Sequence, residues 1–189
     1  IEAIRSEDPD NWIGIEPTSL INAFPYATDL MMEQLTDVRE GPSRLLYAGH
    51  LYEPSVHEGT GYSTDSTYLA DWEAFRTTEA TALDSSLWIG EFGGQANQDR
   101  SKEYFQELTA MSDRNMAGWA TWSWDPSSTT DWWAPITDSG EITINGRSLQ
   151  RVQPSAIAGT PTFFNWDPVT RVFTMHWAER PQAMGPTEI

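Results

Sequence analysis

Four short apolar runs in this sequence end in side chains that can do chemistry. "NWIGIEP" (Asn11–Pro17) ends in Glu16, and "RLLYAGHLYEP" (Arg44–Pro54) in His50 and Tyr52. "LWIGE" (Leu87–Glu91) ends in Glu91, and "MAGWATWSWD" (Met116–Asp125) in Trp122, Ser123, Trp124 and Asp125. Carboxylates, an imidazole and a phenol are the groups that transfer protons or attack electrophilic carbon. Indoles stack on flat ligands, including the C–H faces of sugars. Each group alone has a plainer reading: a solvated strand-end acid, a satisfied imidazole, a packing phenol, a core indole. Four in register carry more weight, because parallel α/β barrels gather catalytic groups at the C-terminal ends of several strands.

The segments between these runs have the spacing of helices. "YATDLMMEQLTDVRE" (Tyr26–Glu40) places Leu30, Met31, Leu35 and Val38 on one stripe, and "STYLADWEAFRTTEATAL" (Ser66–Leu83) does so with Leu69, Trp72 and Phe75. "DRSKEYFQELTAMSDRN" (Asp99–Asn115) repeats the pattern with Tyr104, Phe105, Leu108 and Met111. The alternation β-α-β-α-β-α-β predicts parallel strands with crossover helices, hence an α/β fold. Ile13, Leu46 and Ile89 are expected on its inner face. "IEAIRSEDPDN" reads as the last turns of a helix, so the chain is expected to begin in mid-fold. After Asp125 the pattern changes. "EITINGRSL" contains Asn-Gly, a hairpin signal, and Thr162–Trp166 and Arg171–Trp177 read as strands around an Asp-Pro turn. A β-only second module is therefore expected from about Ile142.

Composition narrows the partners. The net charge is −17, with 28 acidic residues against 11 Lys and Arg, of which only Lys102 is lysine. Such a surface repels nucleic acid and anionic membranes. It suits high salt, where screening relieves self-repulsion; a GC-rich genome would explain the missing lysine but not the acid excess. There is no cysteine, so no disulfide, thiolate metal site or cysteine nucleophile. No apolar run approaches the ~20 residues of a membrane span, and no segment resembles a secretion signal. Ten tryptophans hint at a stacking surface.

"WIGEFGG", "AGHLYEP" and "GWATWSWD", in this order and spacing, resemble the last strands of glycoside hydrolase family 5. "RVQPSAIAGTPTFFNWDPVTRVFTMHW" resembles the link into the C-terminal β-sandwich of the endoglycosylceramidase-like branch. The resemblance implies strands 5 to 8 of a (β/α)8 TIM barrel over residues 1–141, then a linker and the first sandwich strands over 142–189. It implies that Glu91 is the nucleophile of a retaining β-glycosidase, with His50 and Tyr52 beside it and Trp122 and Trp124 against the substrate. Tyr52 is expected to orient the Glu91 carboxylate, Phe92 to wall it from water, and Gly93 and Gly94 to allow close approach. No metal or organic cofactor is implied, the substrate is a carbohydrate or glycolipid, and the family's location is extracellular.

One motif is missing. The family's acid/base glutamate lies in an Asn-Glu-Pro motif, which this sequence lacks; Glu16-Pro17 follows Ile15. Retention needs two carboxylates about 5 Å apart, so Glu16 is the surrogate acid candidate. Two other readings stay open: a non-catalytic carbohydrate-binding half-barrel, and a β-glucanase or cellulase-like enzyme of the same family. A further one is an inactive truncated product. Four parallel strands cannot close a barrel, so the chain is expected to self-associate about a two-fold axis or to pair with an N-terminal half-barrel.

Overall fold

Strand β2 (Leu45–Leu51) sets the frame, because its side chains alternate strictly between two environments. Leu45, Tyr47 and Leu51 are buried under helices, while Leu46, Ala48 and His50 look the other way and are half-buried. The computed structural model describes residues 1–18, 35–124, 133–180 and 185–189. In it β1 (Ile13–Ile15), β2, β3 (Ser86–Phe92) and β4 (Gly118–Thr121) form one parallel sheet in sequence order. The α/β alternation thus produces the parallel sheet expected of it, with β1 and β4 at its edges.

Helices α3 (Tyr68–Ala82) and α4 (Ser101–Arg114) cover one face. Leu69 and Trp72 from α3 and Tyr104, Phe105, Leu108 and Met111 from α4 pack with Leu51, Ile89 and Phe92 in one core. A second cluster joins Ile15, Leu45, Tyr47, Ala80 and Leu83, with Ile13 and Leu35 against it. Gly49 is a glycine for a local reason: a Cβ there would come within 3.3 Å of the Trp72 ring. Short helices α1 (Glu2–Arg5) and α2 (Pro54–His57) complete this unit.

The structure corrects several sequence expectations. Ile13 and Ile89 belong to the helix-covered face rather than the inner one, where Leu46 does lie. Asn145-Gly146 is no hairpin but part of α5 (Ile144–Leu149), capped by the Thr143 hydroxyl, which accepts from the Gly146 N–H at 3.2 Å. The tail is therefore not β-only; its antiparallel ladder is β5 (Gly159–Asp167) with β6 (Val172–Glu179). The helix read at Tyr26–Glu40 lies mostly outside the described residues, and residues 35–40 are not helical. Strands β1 and β4 are also shorter than the apolar runs that announced them.

A buried carboxylate is one of the ties between the tail and the sheet unit. Asp113, at the end of α4, accepts from the Arg151 guanidinium and from the Trp166 backbone N–H at 2.9 Å. A carboxylate buried this deeply requires such partners.

Candidate active site

Glu91 owes its direction to an irregularity in β3. The register between β2 and β3 pairs Gly49 with Ile89 and then His50 with Glu91, leaving Gly90 as an extra residue. Such a bulge reverses the alternation that follows it. Ile89 and Phe92 consequently both face the helices, three positions apart, and Glu91 joins His50 on the opposite face. Gly90 fits because a Cβ there would lie 2.9 Å from the Ala48 carbonyl oxygen. Phe92 does not wall Glu91 from water as expected. It is fully buried on the far side, tilted against Phe105 and edge-on to Trp119.

The strand ends bring four of the named side chains into one cluster. The Tyr52 hydroxyl donates to Glu91 Oε1. His50 stands between two acids, with Nδ1 3.8 Å from Glu91 Oε2 and Nε2 3.2 Å from Glu16 Oε1. Glu91 and His50 are about a quarter exposed, Glu16 about half (28%, 24% and 54% of the side chain). Burial first, and then the hydrogen bond to Glu91, pushes the Tyr52 phenol far above its ordinary range. It therefore stays protonated and remains a donor to the carboxylate. Trp72 Nε1 donates to the His50 carbonyl at 2.8 Å and fixes the strand from behind.

The indoles at the end of β4 are open to solvent, Trp122 at 53% and Trp124 at 70%. The backbone N–H of Trp122 donates to the Phe92 carbonyl at 2.6 Å, which seats this strand end beside that of β3. The Trp122–Ser123 peptide is cis.

Several residues escaped the sequence reading. Trp133 and His57 pack edge-on against Tyr52 and each other, with ring centroids 5.6 to 6.1 Å apart. Trp133 also covers Gly93, where a Cβ would lie within 2.8 Å of its ring. Asn145, fully buried, donates to the carbonyls of Gly94 at 2.7 Å and Trp133 at 3.1 Å. It thereby ties the loop after β3 to α5. Glu53 caps α2 by accepting from the Val56 N–H at 2.9 Å. That helix was announced by Glu53-Pro54, an acceptor at the cap followed by proline at the first position.

The strand ends thus gather two acids, an imidazole and a phenol, with solvent-open indoles at the end of β4. Comparison with known proteins identifies the family. Residues 1–128 match the model of the cellulase family, glycosyl hydrolase family 5, and residues 151–189 match the glycoside hydrolase family 5 C-terminal domain. The chain belongs to glycoside hydrolase family 5.

Among solved structures this family 5 chain is similar to endo-glycoceramidase II from Rhodococcus sp., with 26% identity and a TM-score of 0.76. The ganglioside GM3 complex of that protein matches with 24% identity and a TM-score of 0.77. Each match covers 98% of this chain and 41% of the other, so the chain spans about two fifths of the structures it matches. An endocellulase from Pyrococcus horikoshii, solved with cellotetraose, matches 78% of this chain and 44% of its own, with 22% identity and a TM-score of 0.54. A comparison with curated proteins finds no significant match. Among the described residues no group of acids and histidines is arranged to hold a metal ion, and no helix is long and apolar enough to cross a membrane.

Proposed function

We propose that this chain carries the nucleophile half of a retaining β-glycosidase of the endoglycosylceramidase type. Its four strands correspond to strands 5 to 8 of the barrel, over residues 1–141, with 142–189 opening a β-sandwich. The observation that carries the reading is the Tyr52–Glu91–His50 cluster at the strand ends, beside open tryptophans. Glu91 would attack the anomeric carbon, displacing the aglycone oxygen and forming a glycosyl ester that water then hydrolyses. Support comes from a neighbouring structure, which is a lactosyl-enzyme intermediate of the Rhodococcus protein. Tyr52 orients the carboxylate, His50 stands between the two acids, and Trp122 and Trp124 offer faces to sugar rings.

A proton must reach the leaving oxygen. Glu16 is the acid on hand, on the far side of His50 from Glu91, but it stands outside the Asn-Glu-Pro motif of the family's acid. We therefore propose that the half-exposed face of the sheet and its edges β1 and β4 receive further barrel strands, from an N-terminal half-barrel or a second copy, and that full activity requires them. The match to the cellulase model favours one alternative, a β-glucan rather than a glycolipid substrate. The acid excess supports a salt-adapted setting, and the family resemblance implies an extracellular one.

The test is Glu91→Gln assayed with aryl β-lactoside and aryl β-cellobioside. The reading expects at least a thousandfold fall in turnover; unchanged turnover rejects Glu91 as nucleophile.

A further inference from the structure

Cations are scarce in this chain, and most are matched. Arg5, Arg39, Arg44, Arg76, Arg114 and Arg151 each reach a carboxylate. The other five, Arg100, Lys102, Arg147, Arg171 and Arg180, form no ion pair among the described residues. Three of these five, Lys102, Arg147 and Arg171, line one cleft of about 370 Å³.

The cleft forms where three elements converge. Lys102 comes from the first turn of α4, Arg147 from α5 and Arg171 from the turn between β5 and β6. Gln106, Gln150 and Trp166 add amides and a half-buried indole, and no acid lines the space. Asp167 of the neighbouring turn is not among the lining residues, and its carboxylate accepts from the Val169 and Thr170 N–H groups and the Thr170 hydroxyl. Arg147 Nη1 donates to the Ile142 carbonyl at 2.6 Å, which anchors the guanidinium. The Lys102 and Arg171 side chains make no hydrogen bond to described residues. The volume falls at the small end of the ~300–1,000 Å³ typical of ligand clefts.

We propose that this cleft is a binding site for an anionic saccharide. The sugar ring lies on Trp166, and its carboxylate, sulfate or phosphate group is held by Lys102, Arg147 and Arg171 through charge-assisted hydrogen bonds. The site is separate from the Glu91 cluster but shares α5 with it, since Asn145 two residues before Arg147 bonds the Gly94 carbonyl.

Calorimetric titration of the whole chain in about 0.15 M salt tests this with cellobiose 6-sulfate, neutral cellobiose and inorganic sulfate. The sulfated disaccharide is expected to bind more tightly than either other probe. Lys102→Gln with Arg171→Gln should weaken it at least about tenfold and leave the melting temperature and cellobiose binding unchanged. A control pair, Arg100→Gln with Arg180→Gln, removes the same charge from exposed sites elsewhere and should change nothing. Absence of binding, equal affinity for cellobiose, or insensitivity to the first pair overturns the site. Inorganic sulfate binding as tightly as the sulfated sugar reduces it to an ion site and overturns the saccharide assignment. No turnover is measured, so failure here leaves the Glu91 reading untouched.

Discussion

Two tyrosine–glutamate pairs lie five residues apart along the second strand and its end, on opposite faces of the sheet. Under the helices, the Tyr47 hydroxyl donates to Glu79, whose carboxylate also receives Arg76 Nη1 at 2.5 Å. At the open mouth, Tyr52 donates to Glu91, and the other neighbour is His50 at 3.8 Å. The parts are alike and the consequences differ. Glu79 is buried against a fully buried, permanently charged guanidinium, so its charge is already neutralised. Glu91 is oriented by a neutral donor and open to solvent on one side, so its charge stays available to an electrophile. On the proposed reading, Glu91 is reactive because it has no such permanent cation beside it.

The comparison makes its largest stability prediction on the buried side. Arg76→Ala leaves Glu79 charged and buried without its cation, which costs about 3–5 kcal/mol. Denaturant unfolding should show that loss, whereas Glu91→Gln should stay within about 1 kcal/mol of the parent. Equal effects would erase the distinction between the two pairs.

Tyr52→Phe sharpens the contrast on the open side. It removes one hydrogen bond to a partly exposed acid, worth about 1 kcal/mol of stability. Its main effect should fall on turnover, about ten- to a hundredfold in kcat with KM little changed. A KM effect alone would make Tyr52 a binding residue instead of an orienting one.

A pH dependence is common to both regions and is confined to alkaline solution. Tyr47, Tyr52, Tyr62 and Tyr104 all titrate well above their ordinary value of 10.0, chiefly through burial. Below pH 10 both folded and unfolded chains keep these protons, and the contribution is fully present. Above it the unfolded chain releases them while the folded chain holds them, so stability must fall as pH rises. Unfolding midpoints should be level in this respect up to about pH 10 and decline beyond it; a level profile through pH 11 would contradict the burial of these phenols.

The sequence showed what regular period and packing control. The Tyr104–Phe105–Leu108–Met111 stripe is buried as spaced, and the strand ends cluster as their order in the chain requires. What it hid depends on single residues answering to distant ones. Period two assigns Ile89 to the wrong face because it cannot register the bulge at Gly90, which is shaped by the Ala48 carbonyl on the next strand. Asn145-Gly146 carries a turn signal, yet the Asn145 amide is drawn inward by two carbonyls remote in sequence, and a helix results. Trp133 joined the site through Tyr52 and Gly93, contacts that nothing in its own neighbourhood announces.

The central claim is that Glu91, unlike Glu79, is a nucleophile. It is tested most directly by incubating the chain with a 2,4-dinitrophenyl 2-deoxy-2-fluoro-β-cellobioside or lactoside and locating any covalent sugar by peptide mass mapping. Dinitrophenolate departs without protonation, so the measurement does not depend on an acid partner, and the fluorine slows hydrolysis of the ester. The account predicts a single glycosyl adduct on Glu91, abolished in Glu91→Gln and retained in Glu16→Gln. An adduct on Glu16, or no adduct with either sugar, would contradict it.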